Sequence, residues 1–176
     1  MHCISLRFVD FHDEISHIGE SGFFYCTYLT GNEINGNLLT LPAGLLTLET
    51  NAFSCTDLVT VTIPSLETIP DWAFSGCERL VGVTFPDNLR SIGQRAFEGT
   101  AIEQPHFPAS LEYIDPYAFS LCKNLTVVVS QAVVPPTISS TTFDSNYIAQ
   151  RQLRYPRGSD YSSWSPFFNT IQEMDF

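Results

Sequence analysis

The sequence predicts an α/β solenoid, in which stacked coils each combine a short strand with a short helical turn. Three repeated features predict it. A Leu-x-x-Leu or Leu-x-x-Ile step and an Ala-Phe pair recur in each coil, the phenylalanine 10 or 11 residues after a proline. A fixed period of this size is typical of stacked repeats. That proline recurs every 22 residues, at Pro42, Pro64, Pro86 and Pro108.

The strand of each unit lies just before its proline. The segment Leu58-x-x-Val61-x-Ile63 alternates apolar and polar residues, which is the period of a half-buried strand. Leu80-x-x-Val83-x-Phe85 repeats this pattern one unit later. We expect the proline to end each strand, because it lacks an N–H and has a fixed φ.

The second half of each unit is predicted to return the chain and turn it. The Leu-x-x-Ile step is expected on the side opposite the strand. In the following short helical turn, the alanine permits close approach and the phenylalanine fills the interior. The segments 70–72 and 115–117 suit the start of such turns, because each places a proline near the first turn.

Both ends depart from the period. Residues 30–37 are surplus to the repeat period and rich in turn formers, so we expect a loop at one edge.

We interpret the chain as one domain, 1–176, with repeats over about 8–130 and a degenerate repeat and cap over about 131–176. An open solenoid end exposes apolar core and strand edges. Aromatic residues near the carboxyl end are expected to seal it: Tyr147, Tyr155, Tyr161, Trp164, Phe167 and Phe168.

The five cysteines have two interpretations. Either they form disulfides, as in small secreted domains, or they form a buried ladder of free thiols. The ladder is favoured, because a chain of this length has a real core and needs no staples. Four cysteines fall two or three residues after the phenylalanine of a unit: Cys26, Cys55, Cys77 and Cys122.

Charge and composition exclude several partners. Eight Lys plus Arg stand against 19 Asp plus Glu, a formal net charge of −11. Nucleic acid needs cationic neutralisation of its phosphates, and anionic membrane surfaces attract basic segments, so neither is expected as a partner. No run approaches the roughly 20 apolar residues that a membrane span needs.

The sequence predicts no enzyme, cofactor or metal site. Nucleotide-binding glycine motifs and the Gly-x-Ser-x-Gly nucleophile motif are absent. The segment 12–17 contains His12 and His17, but Asp13 stands where the zinc-protease motif has glutamate. The repeat alignment also places this segment on the path from strand to return step rather than on a helix. We therefore expect these side chains to be solvated.

The remaining candidate for a functional site is the outer surface of the predicted strands. Side chains between the buried strand positions must point outward, and they form a polar, almost uncharged row. Taken singly, threonine simply suits an exposed strand. Taken together, the row is the best candidate docking strip that the sequence offers. Its predicted ligand-binding residues are Thr40, Thr60, Thr62, Thr84, Gln104 and His106.

The units resemble the BspA-like leucine-rich repeats of bacterial surface proteins, notably those of Bacteroidetes. The resemblance rests on residues 66–80 (LETIPDWAFSGCERL) and their equivalents. It implies a leucine-rich-repeat right-handed β-α superhelix with a parallel concave sheet of short strands, and it supplies no catalytic residues. Pro105, in place of a strand valine, and Thr100, in place of a cysteine, depart from the pattern.

The resemblance also implies a function. We expect a non-enzymatic binding module of a cell-surface or secreted protein, docking a protein or a glycan through the concave face. The alternative is a structural spacer in a larger surface protein, with no ligand of its own. Residues 1–7 lack the features of a secretory signal, and the pattern begins within a repeat, so we expect a trimmed piece of a longer surface or extracellular protein.

Overall fold

The computed structural model describes residues 3–34 and 36–176, and there it forms a parallel β-solenoid of about six turns. Asn35, in the predicted edge loop, lies outside the described residues. One core cluster of buried side chains extends from Ile18 to Phe168. The strands are β1 (His17–Ile18), β2 (Leu38–Thr40), β3 (Thr47–Leu48), β4 (Thr60–Thr62), β5 (Thr68–Ile69), β6 (Gly82–Thr84), β7 (Ser91–Ile92), β8 (His106–Phe107), β9 (Tyr113–Ile114), β10 (Val127–Ser130), β11 (Thr137–Ile138), β12 (Gln152–Pro156) and β13 (Thr170–Met174).

The predicted strands before the prolines are confirmed. Strands β2, β4 and β6 pair in parallel in register, so that Thr40, Thr62 and Thr84 are neighbours. Each strand ends two residues before its proline, and β8 ends directly before Pro108. Their central residues Leu39 and Val61 are buried, as the alternation requires.

The return steps form strands of their own, which the sequence did not predict. Strands β5, β7, β9 and β11 pair in parallel as a second sheet, and β1 pairs with β3. In this second set the buried residue is the last of the step, for example Ile69 and Ile92, while Thr68 beside it is exposed. Each regular coil therefore contributes two short strands.

The predicted helical turns are wrong. The Ala-Phe segments are hydrogen-bonded turns, and within the described residues the only helical segments are two 3₁₀ helices near the carboxyl end, Ser145–Gln150 and Ser162–Phe167. The reason lies in the backbone, because residues two before and two after the phenylalanine have left-handed φ. Trp72 has φ 54° and Gly76 has φ 70°, and Arg95 and Gly99 repeat this one coil later. Left-handed residues interrupt a right-handed helix.

The phenylalanines do fill the interior, as predicted. Their rings form a ladder along the solenoid, with centroid separations of 5.6 Å for Phe53–Phe74 and 5.4 Å for Phe74–Phe97. The alanine before each ring permits a close backbone contact. The N–H of Phe53 donates to the carbonyl of Ala73 at 2.9 Å, and that of Phe74 to Ala96 at 2.8 Å. The turns therefore add a third column of hydrogen bonds between coils, beside the columns formed by the two sets of strands.

The strand sheet is interrupted between β6 and β8. Within the described residues, β8 pairs with β10 rather than β6, in a sheet ordered β8-β10-β12-β13. Pro105 occupies the position that Val83 holds one coil earlier. Because proline cannot donate to a strand ladder and fixes φ, strand β8 is only two residues long.

The carboxyl end packs aromatic side chains against the last coil. Trp164 and Tyr161 are buried, and the Trp164 indole N–H donates to the Pro136 carbonyl at 3.0 Å. The Tyr161 hydroxyl donates to the carbonyl of Ala132 at 2.8 Å. The ring of Trp164 lies 5.8 Å from that of Phe143, which ends the phenylalanine ladder.

Candidate binding surface

The candidate surface consists of the outward side chains on the strands that precede the prolines. We call it the strand face. Leu39 and Val61 point into the core, so the residues on either side of them point outward. In β2, β4 and β6 these outward positions form two rows across the strands. The rows are Leu38–Thr60–Gly82 and Thr40–Thr62–Thr84.

The four predicted threonines are brought together on this face. Thr40 and Thr84 are exposed, and Thr60 and Thr62 are half-buried. The Thr60 hydroxyl donates to the Asn37 carbonyl at 2.9 Å, which fixes its rotamer. Gly82 adds no side chain beside Thr60, so the row is low at this point.

The two other predicted residues lie beyond the interruption. His106 is exposed on β8, and its register partner is Val129 on β10. Gln104 is exposed in the segment before β8 and belongs to no strand. The four threonines therefore lie on one hydrogen-bonded sheet, His106 lies on another, and Gln104 lies in the segment that precedes β8.

The strand face continues onto residues that the sequence interpretation missed. Strands β10, β12 and β13 pair in register, which places Arg154 and Gln172 in line with Val129. Gln152 and Thr170 line up with Val127 in the same way. The alternation Gln-Leu-Arg in β12 matches Thr-Val-Thr in β4, and this match is the sequence signal that could have predicted Gln152 and Arg154 as outward residues.

The face changes character along the solenoid. Its first part carries short threonine side chains, and its last part carries longer Gln and Arg side chains. Val127 and Val129 are in register with the outward residues Gln152 and Arg154, and yet they are only 7% and 5% exposed. None of the described ion pairs involves a strand-face residue. The face can therefore offer hydroxyl groups on an uncharged strip over β2, β4 and β6, and amide groups with the cationic guanidinium of Arg154 over β12 and β13.

The two histidines of segment 12–17 are both exposed. His12 is exposed, and His17 lies 3.4 Å from Glu49 across neighbouring coils. In the described ranges, no group of three or more His, Cys, Asp or Glu is placed to hold a metal ion.

The buried thiols are poorly acidic. All five cysteines, each within the described residues, are free. Burial raises the pKa of Cys77 to about 12 and that of Cys122 to about 11, so both stay protonated near neutral pH. The Cys77 thiol donates to the Phe53 carbonyl at 3.1 Å, and the Cys122 thiol donates to the Phe97 carbonyl at 3.2 Å.

The predicted cysteine ladder needs one correction. Cys55 is half-exposed, and its neighbour Thr56 occupies the buried position of that coil. The buried positions therefore alternate as Cys26, Thr56, Cys77, Thr100 and Cys122. Threonine fits because its hydroxyl donates to the carbonyl of its own coil's phenylalanine, as Thr56 does to Phe53 at 2.9 Å.

Within residues 3–34 and 36–176, the structure contains no helix with the length and apolar character needed to cross a membrane.

Comparison with known proteins places these features in a family. The family model described as BspA type leucine-rich repeat region (6 copies) matches residues 1–126 and 46–156. No protein in a search of curated proteins matches this chain.

Two solved structures share the fold. The leucine-rich repeat protein of T. pallidum is 26% identical, with a TM-score of 0.65 over 84% of this chain and 72% of that chain. A leucine-rich cell surface protein of Faecalibacterium prausnitzii A2-165 is 21% identical, with a TM-score of 0.53. That match covers 93% of this chain but only 59% of the other. With the family model matching most of its length, the chain belongs to the BspA-type leucine-rich repeat family.

Proposed function

We propose that this chain is a non-enzymatic binding module of a cell-surface or secreted protein, and that it docks a protein partner on the strand face. The observation that carries the proposal is the nature of this face. It is one side of the solenoid, on which Thr40, Thr62 and Thr84 align in register across β2, β4 and β6, and the outward side chains of these three strands carry no charge.

The rigidity of the face supports docking. Its side chains are held on hydrogen-bonded parallel strands, and threonine is β-branched, so it loses little freedom when a partner arrives. Preorganised surfaces bind with less entropic cost. Because the face has low relief, it suits the surface of a protein rather than a small molecule, which needs a concave pocket.

The family and one structural relative both support this proposal. Leucine-rich repeat modules generally bind proteins and are typically non-enzymatic. The F. prausnitzii protein of the same fold is described as a cell surface protein, which supports a surface location here. The second candidate function is a structural spacer. It is favoured because threonine is common on any exposed strand, so the threonine rows need not reflect binding.

A matched pair of charge variants tests the proposal. The strand-face variant is Thr40→Lys, Thr62→Lys and Thr84→Lys together. Its control is Thr47→Lys, Thr68→Lys and Thr137→Lys, which adds the same charge at exposed positions of the return strands. Immobilised wild-type chain captures partners from extracellular and cell-surface protein fractions, and Kd is then measured with each purified partner.

We expect the strand-face variant to bind at least about tenfold more weakly, or about 1.4 kcal/mol, because desolvated lysines oppose docking. The control should bind within about twofold of the wild-type chain. Equal binding by the strand-face variant contradicts the docking proposal. If the wild-type chain captures no partner, the spacer function is supported. Antibody labelling of intact cells tests the surface location separately.

A further inference from the structure

The amino-terminal cysteine occupies the same place in its coil as the buried cysteines. In three coils the leucine three residues after the cysteine donates its N–H to the cysteine carbonyl. These bonds are Leu29 to Cys26 at 2.9 Å, Leu80 to Cys77 at 3.0 Å and Leu125 to Cys122 at 3.2 Å. Leu6 donates to Cys3 at 3.1 Å in the same way. Cys3 therefore holds the same position in its coil as Cys26, Cys77 and Cys122 do in theirs.

The segment around Cys3 is stacked on the coil that contains Cys26. The Thr30 N–H donates to the Arg7 carbonyl at 3.0 Å, and the Val9 N–H donates to the Gly31 carbonyl at 3.1 Å. Phe8 and Gly31 form a parallel bridge. Both that bridge and the two cysteines join residues 23 positions apart, so Cys3 and Cys26 are neighbours across the coils.

Elsewhere in the described chain, neighbours at this position alternate between cysteine and threonine. Where such neighbours are in contact, a hydroxyl faces a thiol. The Thr56 oxygen lies 3.2 Å from the Cys77 sulfur, and the Thr100 oxygen lies 3.3 Å from the Cys122 sulfur. Cys3 and Cys26 place two thiols next to each other instead. Burial raises the pKa of Cys26, and Cys3 contributes to this environment by hydrogen bonding and charge.

We propose that Cys3 and Cys26 form a disulfide that fastens the amino-terminal segment to the first full coil. Neighbouring coils are about 4.8 Å apart, within the range of roughly 4.4–6.8 Å that separates the Cα atoms of bonded cysteines. Cys3 is exposed and accessible to an oxidant, whereas Cys26 is only 1% exposed. The bond would close the first coil covalently at the end where Phe8 remains 40% exposed.

The oxidant is a small-molecule disulfide. The Cys3 thiolate attacks one sulfur of that disulfide, which releases one small thiol and leaves a mixed disulfide on Cys3. Cys26 then loses its proton and attacks the Cys3 sulfur, which releases the second small thiol. Two protein S–H bonds are lost, one S–S bond forms and the small disulfide is reduced. Because Cys26 is a poorly acidic thiol, the second step should become faster as pH rises.

Equilibration of the full chain with oxidised glutathione tests the proposal. The remaining thiols are alkylated after denaturation and counted by intact mass. Five cysteines are present, so we expect three alkylated thiols in the oxidised wild-type chain. Cys3→Ser removes the pair and should retain four free thiols. Cys55→Ser is the matched control, because this half-exposed cysteine lies outside the pair, and it should retain two.

Peptide mapping identifies the linked cysteines. Trypsin cleaves after Arg7, and a glutamate-specific protease cleaves between Cys26 and Cys55, for example after Glu49. We expect residues 1–7 to be released from the peptide that contains Cys26 only after reduction. The oxidised wild-type chain should melt roughly 5 °C or more above the reduced chain, and Cys3→Ser should abolish the difference.

Three results would overturn the proposal: Cys3 carrying only glutathione while Cys26 stays free, a link from Cys3 to Cys55, or a link between two chains.

Discussion

The two ends of the solenoid bury the same phenylalanine ladder to different extents. At the first end Phe23 is half-buried, and Phe11 contacts it edge-on at 5.7 Å. At the last end Phe143 is 1% exposed, because Trp164 and Phe168 pack on it at 5.8 and 5.4 Å. Each ring in a stacked array is buried by its neighbours on both sides. An end without a second neighbour must therefore be covered by other side chains or remain exposed.

The largest expected effect is at the middle of the ladder. Phe74→Ala should cost about 3–5 kcal/mol of unfolding free energy, because the ring is fully buried between two others. Phe23→Ala should cost only about 1–2 kcal/mol, because part of that ring is already solvated. Urea unfolding of both variants measures the difference, and equal costs would refute the contrast between middle and end.

The second effect is a loss of stability in alkali, which arises in the middle coils. Cys77 and Cys122 ionise near pH 9 when unfolded, but their folded pKa values are raised to about 12 and 11 by burial. Above pH 9 the unfolded state therefore binds fewer protons, so stability falls as pH rises. Each thiol should contribute a loss of about 1.4 kcal/mol per pH unit up to about pH 11.

The control for the alkaline loss comes from the chain itself. Threonine occupies the equivalent positions at Thr56 and Thr100, where its hydroxyl donates to a phenylalanine carbonyl. Cys77→Thr with Cys122→Thr should therefore fold and should flatten the pH dependence above pH 9. Reducing urea titrations from about pH 8 to about pH 11 give the slopes. An unchanged slope would show that the buried thiols are not its source.

The third effect concerns a buried charge near the carboxyl-terminal end. Arg151 is 0% exposed, and its Nε, Nη1 and Nη2 atoms have no hydrogen-bond partner among the described residues. Its guanidinium lies 5.8 Å from the ring centroid of Phe143, and burial lowers its pKa. An unsatisfied buried polar group costs about 1–3 kcal/mol or more.

Replacement of this arginine by an apolar side chain of similar length should remove that cost. Arg151→Met is expected to raise the unfolding free energy by about 1–3 kcal/mol, measured by urea unfolding. Arg151→Ala is the control for packing, because it removes the charge and also leaves a cavity. The difference in unfolding free energy between the two variants therefore measures the packing contribution. A loss of stability in Arg151→Met would mean that the guanidinium is stabilising where it lies.

The smallest effect is expected on the strand face. Thr62→Ala should change the unfolding free energy by less than about 0.5 kcal/mol, because the side chain is only half-buried and lies on the outward side of β4. Thermal and urea unfolding beside the wild-type chain measure this. A loss above about 1 kcal/mol would indicate that Thr62 has a structural role, which would weaken its place in a binding surface.

The regular coils were predictable because their local patterns agree with the fold. Alternation predicted β4 and β6, and proline predicted where they end. Glycine fills the second left-handed position of two turns, at Gly76 and Gly99, but the first left-handed position is filled by Trp72, Arg95 and Tyr117, so the turns were not predicted to be non-helical. These residue types give no local signal of a positive φ. The second sheet was missed because strands of two residues are too short to show alternation.

The candidate surface was predictable only where the spacing is constant. Thr40, Thr62 and Thr84 are 22 residues apart and pair in that register. Beyond β8 the spacing changes, because Val127 pairs with Gln152 and Gln152 pairs with Thr170. The intervening 3₁₀ helices consume variable lengths of chain, so Arg154 and Gln172 could not be aligned by period alone.

The central claim is that the strand face, and not the return strands, contacts the partner. Hydroxyl-radical footprinting of the free chain and of its complex with a captured partner tests this most directly. Leu38 and His106 report on the strand face, and Leu46 and Tyr113 report on the return side. We predict that oxidation of Leu38 and His106 falls in the complex while Leu46 and Tyr113 are unchanged. Protection of Leu46 and Tyr113, with Leu38 and His106 still reactive, would contradict the proposed binding surface.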